Sequence, residues 1–366
     1  MSATIAMSTH FKRDYSLVGE SSRRAVEMGL ASAEWYHTDV PRAVMKELMQ
    51  RKDQPAIRDT IIWLALIIGS AAGGIWFWGT WWCVPFFFVY GVLYGSSSDS
   101  RWHECGHGTA FKTAWMNDVI YEIASFMVMR NSTAWRWSHA RHHTDTIIVG
   151  RDAEIAVMRP PQLLKAALLF TGAIDFRYGF TTLVRQAFGR ISDEEKSYIP
   201  EAEWRKVISV ARWHMLIYAT AVIAALYSWS WLPLVLIGGP RVYGSWHMYL
   251  TGLLQHIGLA DNVVDHRLNS RTVYMNPISR WIYWNMNYHV EHHMFPMVPY
   301  HALPRLHELI KHDLPAPNPS MWHAYKEAWP IVMRQLRYED YYLRRDLPPA
   351  ARPYREEFHN MASPAE

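Results

Sequence analysis

The sequence predicts an all-α, polytopic membrane protein, with four membrane-spanning helices in two hairpins and a helical cap on the cytoplasmic side. Two pairs of apolar stretches, at about 60–78 with 81–97 and at about 207–227 with 231–259, approach the length that crosses a bilayer. The 19 tryptophans and 20 tyrosines are typical of aromatic belts at membrane interfaces. The mean hydropathy of −0.14 nevertheless indicates that a large part of the chain lies in water.

Three segments follow one another along the chain. Residues 1–55 are polar and form an N-terminal region, for which we expect no cleavable signal peptide. Residues 56–312 form the membrane domain, and residues 313–366 form a soluble C-terminal tail. The fourth span contains Pro240, which predicts a kink in that helix.

The loop between the two hairpins determines the predicted orientation. From Asp99 to Lys206 it is rich in arginine, and its apolar pieces are too short to span, which favours buried or interfacial helices. Two hairpins place this loop, the residues after the fourth span and both termini on one side of the membrane. The positive-inside tendency makes that side the cytoplasm, so we expect a bacterial inner-membrane protein with its functional site facing the cytoplasm.

Eight histidines occur in three short segments of that cytoplasmic side. We call these segments box one (His103–His107, HECGH), box two (His139–His143, HARHH) and box three (His289–His293, HVEHH). Offsets of three and four residues place side chains on one helical face, and neutral imidazole is the commonest metal ligand near neutral pH. Eight imidazoles are too many for one ion and suit two. The candidate ligands are His103, His107, His139, His142, His143, His289, His292 and His293.

Two other classes of protein compete for these boxes. Box one fits the HExxH pattern of zinc proteases, with Glu104 as general base. A protease site needs only one further ligand, so boxes two and three would be left without a role. A histidine-rich metal transporter or sensor would need acidic or histidine residues inside its spans, and the first two spans contain none.

The three boxes, in this order relative to the spans, resemble the integral-membrane fatty acid desaturase and hydroxylase superfamily. The likeness covers about residues 60–312 and depends on HECGH, HARHH and HVEHH. HECGHGTAF and NYHVEHHMFPMVPYHALPRLH are most similar to the bacterial branch typified by the rhizopine-catabolism oxygenase. The three-box pattern is specific for the superfamily and says little about the substrate.

The resemblance implies a centre of two ferrous ions held almost wholly by histidine. It also implies a ninth histidine near the end of the fourth span, for which His256 is the candidate, because Leu254–Leu259 resembles the segment that supplies this ligand in membrane alkane hydroxylases. His266 and His247 are the alternatives. No catalytic residue separate from the metal ligands is expected.

Carboxylates close to the boxes are candidates to accept hydrogen bonds from the ligand imidazoles, as metal-bound histidines usually require. Asp145 and Asp261 are favoured because each lies within a few residues of a proposed ligand. Glu104 and Asp265 are further choices. Three more acidic residues lie near the boxes, namely Asp152, Glu154 and Glu291.

The resemblance implies an O2-dependent enzyme that activates a C–H bond. Hydroxylation, or oxidative demethylation through hydroxylation, is favoured because the rhizopine-like branch is associated with oxygenation. Box three also begins with His289 instead of glutamine, and the chain has no HPGG haem-binding segment. Desaturation of a fatty acyl chain on the same site is the alternative. Substrate, regioselectivity and oligomeric state are left open.

Electrons must come from a partner, because the chain shows no site for a redox cofactor of its own. GxGxxG and P-loop motifs are absent, and Cys83 and Cys105 cannot build an iron–sulfur cluster. A ferredoxin, for which the resemblance suggests a Rieske type, and its NAD(P)H reductase are the expected partners. A net charge of +4 does not indicate a nucleic-acid partner and fits a surface that faces membrane lipid.

Overall fold

A computed structural model describes residues 13–355, and this range is helical, with two isolated β-bridges, Thr272–Tyr288 and Val273–Asn318. The first helices are α1 (Glu20–Glu27), α2 (Arg42–Leu48), α3 (Asp53–Trp76), α4 (Cys83–Val92), α5 (Ser98–Gly106), α6 (Ala114–Met127) and α7 (Ser132–Thr144). The loop between the predicted hairpins continues with α8 (Leu163–Leu169), α9 (Ala173–Ala187) and α10 (Asp193–Lys196). The remaining helices are α11 (Trp204–Ser228), α12 (Leu232–Leu236), α13 (Pro240–Tyr243), α14 (Trp246–Gly252), α15 (His266–Asn269), α16 (Pro277–Ile282), α17 (His289–Met294), α18 (Leu303–Ile310) and α19 (Met321–Gln335). Short 3₁₀ turns lie at Leu30–Ser32, Glu201–Glu203 and Leu253–Gln255, and a π-helical turn lies at Leu93–Ser97.

Two helical runs in the described residues are long and apolar enough to cross a membrane. They are Arg42–Trp76, which contains α3, and Glu201–Ser228, which contains α11. Only 33% and 28% of their most apolar windows are buried against the rest of the protein, so neither behaves as the core helix of a soluble domain. Side chains such as Ile68 and Ile223 are exposed along them, as contact with lipid requires. These two helices are consistent with a membrane protein.

The second predicted span is a helical run that continues into box one. Helix α4 passes through the π-helical turn at Leu93–Ser97 directly into α5. Gly91 lies so close to Gly244 that a Cβ atom on Gly244 would stand 1.8 Å from the Gly91 carbonyl oxygen. Glycine is therefore required where this run meets α13, a contact of the kind that lets helix backbones approach closely in membranes.

The fourth predicted span, 231–259, is not one helix, so four continuous spans are not confirmed. The segment is divided into α12, α13, α14 and the 3₁₀ turn at Leu253–Gln255. Gly238 has a φ of 84°, a left-handed conformation that ends α12, and Pro240 follows as the first residue of α13. The chain thus breaks where the sequence predicted only a kink.

A buried apolar core joins the helices that carry boxes one and three. Trp102 of α5, Trp284, Val290 of α17 and Leu306 of α18 belong to it, each at most 3% exposed. Burying a large apolar side chain contributes about 1.5–3 kcal/mol. This core fixes α5 and α17 side by side and so determines where their histidines meet.

Candidate metal centre

The structure brings all nine sequence-predicted histidines together. The first four residues of box one lie on α5, and its last residue, His107, caps the end of that helix. Box two lies in the second half of α7, and box three lies on α17. His256 follows the 3₁₀ turn at the end of the broken fourth segment. His266 and His247 belong to neither group described below: His266 stacks on Trp35, and His247 Nε2 lies 3.2 Å from Ser279 Oγ.

The nine imidazoles divide into two groups. The five-histidine group contains His103, His107, His139, His143 and His292, and the four-histidine group contains His142, His256, His289 and His293. Within each group, one nitrogen of every member lies within 4.8 Å of one nitrogen of every other member. Two groups of donors match the two ions that eight or nine imidazoles suggest.

The division is consistent with helical geometry. Each residue of an α-helix is turned by about 100° from the one before, so residues four apart share a face, and neighbours do not. His139 and His143 therefore stay in one group while His142 points to the other. The same rule sends His289 and His293 to the four-histidine group and His292 to the five-histidine group. Boxes two and three each contribute to both groups.

Imidazole Nε2 atoms face one another across both groups. His107 and His139 bring their Nε2 atoms to 3.1 Å, and His256 and His289 bring theirs to 3.0 Å. A nitrogen binds a divalent ion at about 2.1 Å, which puts neighbouring ligand nitrogens about 3 Å apart. The observed separations therefore fit a shared cation in each group.

Partners on the other ring nitrogen decide which tautomer these imidazoles adopt. His142 Nδ1 lies 2.8 Å from Asp152 Oδ2, and His139 Nδ1 lies 3.1 Å from Glu154 Oε2. His256 donates from Nδ1 to the Asn269 carbonyl at 2.8 Å. An Nδ1–H leaves a lone pair on Nε2. Lone pairs that face lone pairs repel one another unless a proton or metal ion lies between them.

His103 strengthens the same conclusion. It is buried, and neither ring nitrogen has a hydrogen-bond partner among the described residues. A buried polar atom without a partner costs about 1–3 kcal/mol. Its neighbours His139 and His292 place their ring centroids 4.4 and 4.5 Å away, so a metal ion bound between these rings would remove that cost for one of the two nitrogens.

The environment favours the neutral imidazoles that metal ions bind. Burial and the neighbouring imidazoles lower the pKa of seven of the nine: His103, His107, His143, His256, His289, His292 and His293. For His256 the pKa falls to about 3. Burial alone would also lower the pKa of His142, but the charge of Asp152 outweighs it and raises that pKa to about 9. A cation in the four-histidine group competes with that proton.

The preferred carboxylates need correction. Asp145 pairs with Arg151 at 3.0 Å, and Asp261 pairs with Arg13 at 2.8 Å. Asp265 binds Arg267 at 2.9 Å. These three are the acceptors of nearby guanidinium groups, which bind carboxylates strongly. The carboxylates within hydrogen-bond distance of candidate ligand imidazoles are Asp152 and Glu154, which the sequence offered as candidates without preferring them.

Glu104 joins box one to box three. Its Oε2 accepts hydrogen bonds from the Tyr300 backbone N–H and the Thr109 hydroxyl, both at 3.1 Å, and its Oε1 lies 3.9 Å from His292 Nδ1. Burial raises the pKa of Glu104 to about 7, and these two hydrogen bonds oppose the rise. A fully buried, hydrogen-bonded Glu104 suits a structural link better than the general base of a zinc protease.

Box three has a support that the sequence did not predict. Glu291 accepts a hydrogen bond from Thr272 at 2.6 Å and contacts His307 Nδ1. Thr146 accepts from His293 Nδ1 at 3.2 Å. No spacing rule links Thr272, His307 and Thr146 to box three, because each comes from another helix or loop and meets α17 only in the folded chain.

Comparison with known proteins matches this arrangement to one family. The sequence model of the fatty acid desaturase family matches residues 79–325, which is most of the chain and includes all three boxes. This chain belongs to the fatty acid desaturase family. The predicted superfamily is thereby confirmed, and the likeness to the rhizopine-like branch stays a prediction.

Several curated proteins similar to this chain are named as fatty acid or lipid desaturases. It is 24% identical to the Delta(5) fatty acid desaturase fat-4 of Caenorhabditis elegans over 64% of this chain and 59% of that protein. It is also 24% identical to human fatty acid desaturase 3, over 57% of this chain and 50% of that protein. With the sn-1 oleoyl-lipid 12-desaturase of Synechocystis it shares 27% identity over 30% of each chain. The matches span between about a third and three fifths of these relatives.

Proposed function

We propose that this protein is an O2-dependent, di-iron membrane oxidoreductase that oxidises a C–H bond of a fatty acyl chain. The observation that carries the proposal is the pair of imidazole groups, buried or half-buried, whose Nε2 atoms face one another at about 3 Å. Their ligands are His103, His107, His139, His143 and His292 for one ion and His142, His256, His289 and His293 for the other. The family and the names of its relatives supply the substrate class.

Iron fits this donor set. Iron is one of the divalent metals that imidazole ligands bind well. Two ferrous ions would supply the reductive activation of O2 that oxidation of an unactivated C–H bond requires. The protein's own residues hold the donors in place: Asp152 orients His142, Glu154 orients His139, and the Asn269 carbonyl orients His256. Trp102 packs against His139 and helps to keep water from the site.

Desaturation is the first proposed outcome, which reverses the preference drawn from the sequence. The family match and the relatives named above favour it. Hydroxylation is the second candidate, favoured by the histidine at the start of box three. Both consume one O2, two electrons and two protons. Desaturation yields a double bond and two waters, and hydroxylation yields an alcohol and one water.

The remaining elements of the proposal concern surroundings and partners. A ferredoxin and its NAD(P)H reductase supply the electrons, since no cofactor motif in the chain does so. The site faces the cytoplasm of a bacterial inner membrane, as the arginine-rich loop between the hairpins indicates.

Elemental analysis of the purified full chain is the direct test. We expect about two irons per chain, one for each histidine group. One zinc and no iron would overturn the proposal and favour the HExxH protease. Metal binding without O2 consumption, in the presence of substrate and electrons, would favour a transporter or sensor.

Labelled O2 distinguishes the two outcomes. With a matched ferredoxin and reductase, we expect a product two hydrogens lighter than the acyl substrate, and the label in water, when products are analysed by mass spectrometry. Label retained in the product as an alcohol would replace desaturation with hydroxylation. An unchanged acyl substrate under conditions that consume O2 would exclude both.

A further inference from the structure

His256 is held differently from the other eight histidines. Seven of the box histidines lie on α5, α7 and α17, and the eighth, His107, caps the end of α5. His256 instead follows a 3₁₀ turn and precedes Gly258, which has a φ of 74°. A turn lacks the continuous hydrogen-bond ladder of a helix, so its carbonyls need other partners. The position of the ninth imidazole therefore depends on what binds this turn.

Arg271 binds the turn that carries His256 from the protein interior. Its side chain is fully buried, and Nη1 donates to the Leu254 carbonyl at 2.7 Å and to the Ile257 carbonyl at 3.2 Å. These two carbonyls lie on either side of His256. A guanidinium carries rigidly arranged donors, so it can hold both carbonyls at a fixed separation.

The charge of Arg271 is balanced from the C-terminal part of the chain. Glu327 of α19 lies 3.3 Å from Arg271 Nε, and the same carboxylate accepts from Arg345 Nη1 at 3.0 Å. A buried guanidinium is costly without such a partner. Glu327 therefore stabilises the charged Arg271 in the position from which it holds the turn.

The same C-terminal part also touches the turn directly. The Leu343 backbone N–H donates to the Gly258 carbonyl at 2.8 Å. Ala324 of α19 packs with Leu254, which precedes His256 by two residues. Glu327 and Leu343 both lie beyond residue 325, where the family match ends, and within the segment that the sequence presented as a separate tail.

We propose that residues 327–345 form a C-terminal clasp that positions His256 through Arg271 and so controls metal binding by the four-histidine group. The inference rests on the proposed di-iron function. Glu327, Arg271 and Arg345 act as positioning residues: they hold the turn and touch neither substrate nor metal.

Glu327→Gln tests the clasp in the full-length protein. It keeps the side-chain shape and removes the charge that balances Arg271. We expect the affinity for the second iron to fall by about 10-fold, the lower end of the range seen when a direct partner of a metal ligand is lost, because Glu327 acts on His256 through Arg271. At a free iron concentration that only just saturates the wild-type protein, the variant should approach one iron per chain. Excess iron should restore binding of the second iron. Adding His256→Ala to this variant should cause no further loss at limiting iron.

Glu47→Gln is the matched control. Glu47 forms an exposed ion pair with Arg305, with oxygens 2.6 and 3.0 Å from the guanidinium nitrogens, and lies outside both histidine groups. We expect wild-type iron binding. If Glu327→Gln fails to fold, Glu327→Asp, which keeps the charge but draws it back, should show a smaller loss confined to the second iron.

Two results would overturn the clasp. One is wild-type affinity for both irons in Glu327→Gln. The other is an equal loss of both irons together with a lower unfolding temperature, which indicates a general structural role. A wild-type protein that binds no iron instead overturns the proposed function, before any variant is compared.

Discussion

Replacing His256 with alanine is expected to abolish substrate oxidation and to lower the iron content from about two ions per chain to about one. The change leaves three imidazoles in the four-histidine group, namely His142, His289 and His293. The five-histidine group keeps all its members and should keep its ion. The loss of activity should exceed the roughly 10- to 100-fold effect typical of losing a partner of a ligand. Iron analysis and turnover of the acyl substrate measure both effects.

Two control variants make this result specific to His256. His312 is exposed and its Nδ1 donates to the Leu309 carbonyl at 3.0 Å, away from both histidine groups, so His312→Ala should retain two irons and full activity. His247 is buried but lies outside both groups, so His247→Ala should also retain its iron. Full iron content in His256→Ala, with one ion lost in His247→Ala or His266→Ala, would transfer the ninth ligand to that residue.

Asp152→Asn is expected to weaken iron binding by the four-histidine group by about 10- to 100-fold. Asp152 Oδ2 lies 2.8 Å from His142 Nδ1 and also accepts the Ile147 backbone N–H at 2.8 Å. Asparagine has a similar shape but no negative charge, so it orients His142 less firmly and makes the imidazole a weaker donor. An iron titration followed by elemental analysis gives the affinity of each group.

Asp145→Asn is the matched control for Asp152→Asn. Asp145 is also buried and close to box two, but its carboxylate binds Arg151 and not a histidine. We expect normal iron affinity, with any effect appearing in the unfolding temperature. Glu154→Gln should weaken the five-histidine group instead, because Glu154 contacts His139. Stronger iron loss in Asp145→Asn than in Asp152→Asn would contradict the contacts described here.

The boxes could be predicted from the sequence because their chemistry is local. Offsets of three and four residues show from the sequence that the histidines of α7 and of α17 lie close together. In the structure, histidines four apart share a group, whereas histidines three apart are divided between the two groups. His256 could be named only through its family resemblance, since one histidine in an apolar stretch has no spacing partner. The structure then placed it with His289 and His293 and left His247 outside.

The carboxylates and the fourth span were harder to predict for different reasons. Asp145 is closer to box two in sequence than Asp152, but in the folded protein Asp145 pairs with Arg151, and Asp152 contacts His142. In the fourth segment, apolar composition favours a span, but Gly238 interrupts it with a left-handed conformation and Pro240 begins a new helix. Composition averages over a window, whereas one left-handed residue can end a helix.

The sequence by itself determined the candidate donors, their closeness on helical faces and the family to which the chain belongs. Only the tertiary structure decided that boxes two and three each serve both groups, and that Asp152, Glu154 and the Asn269 carbonyl orient the imidazoles. It also connected residues after 325 to the turn that carries His256. The physical reason is range. The residues that share a face of one helix are three and four positions apart, so the sequence shows them. Charge balance and hydrogen bonding in a buried site depend on side chains that come together only when distant segments pack.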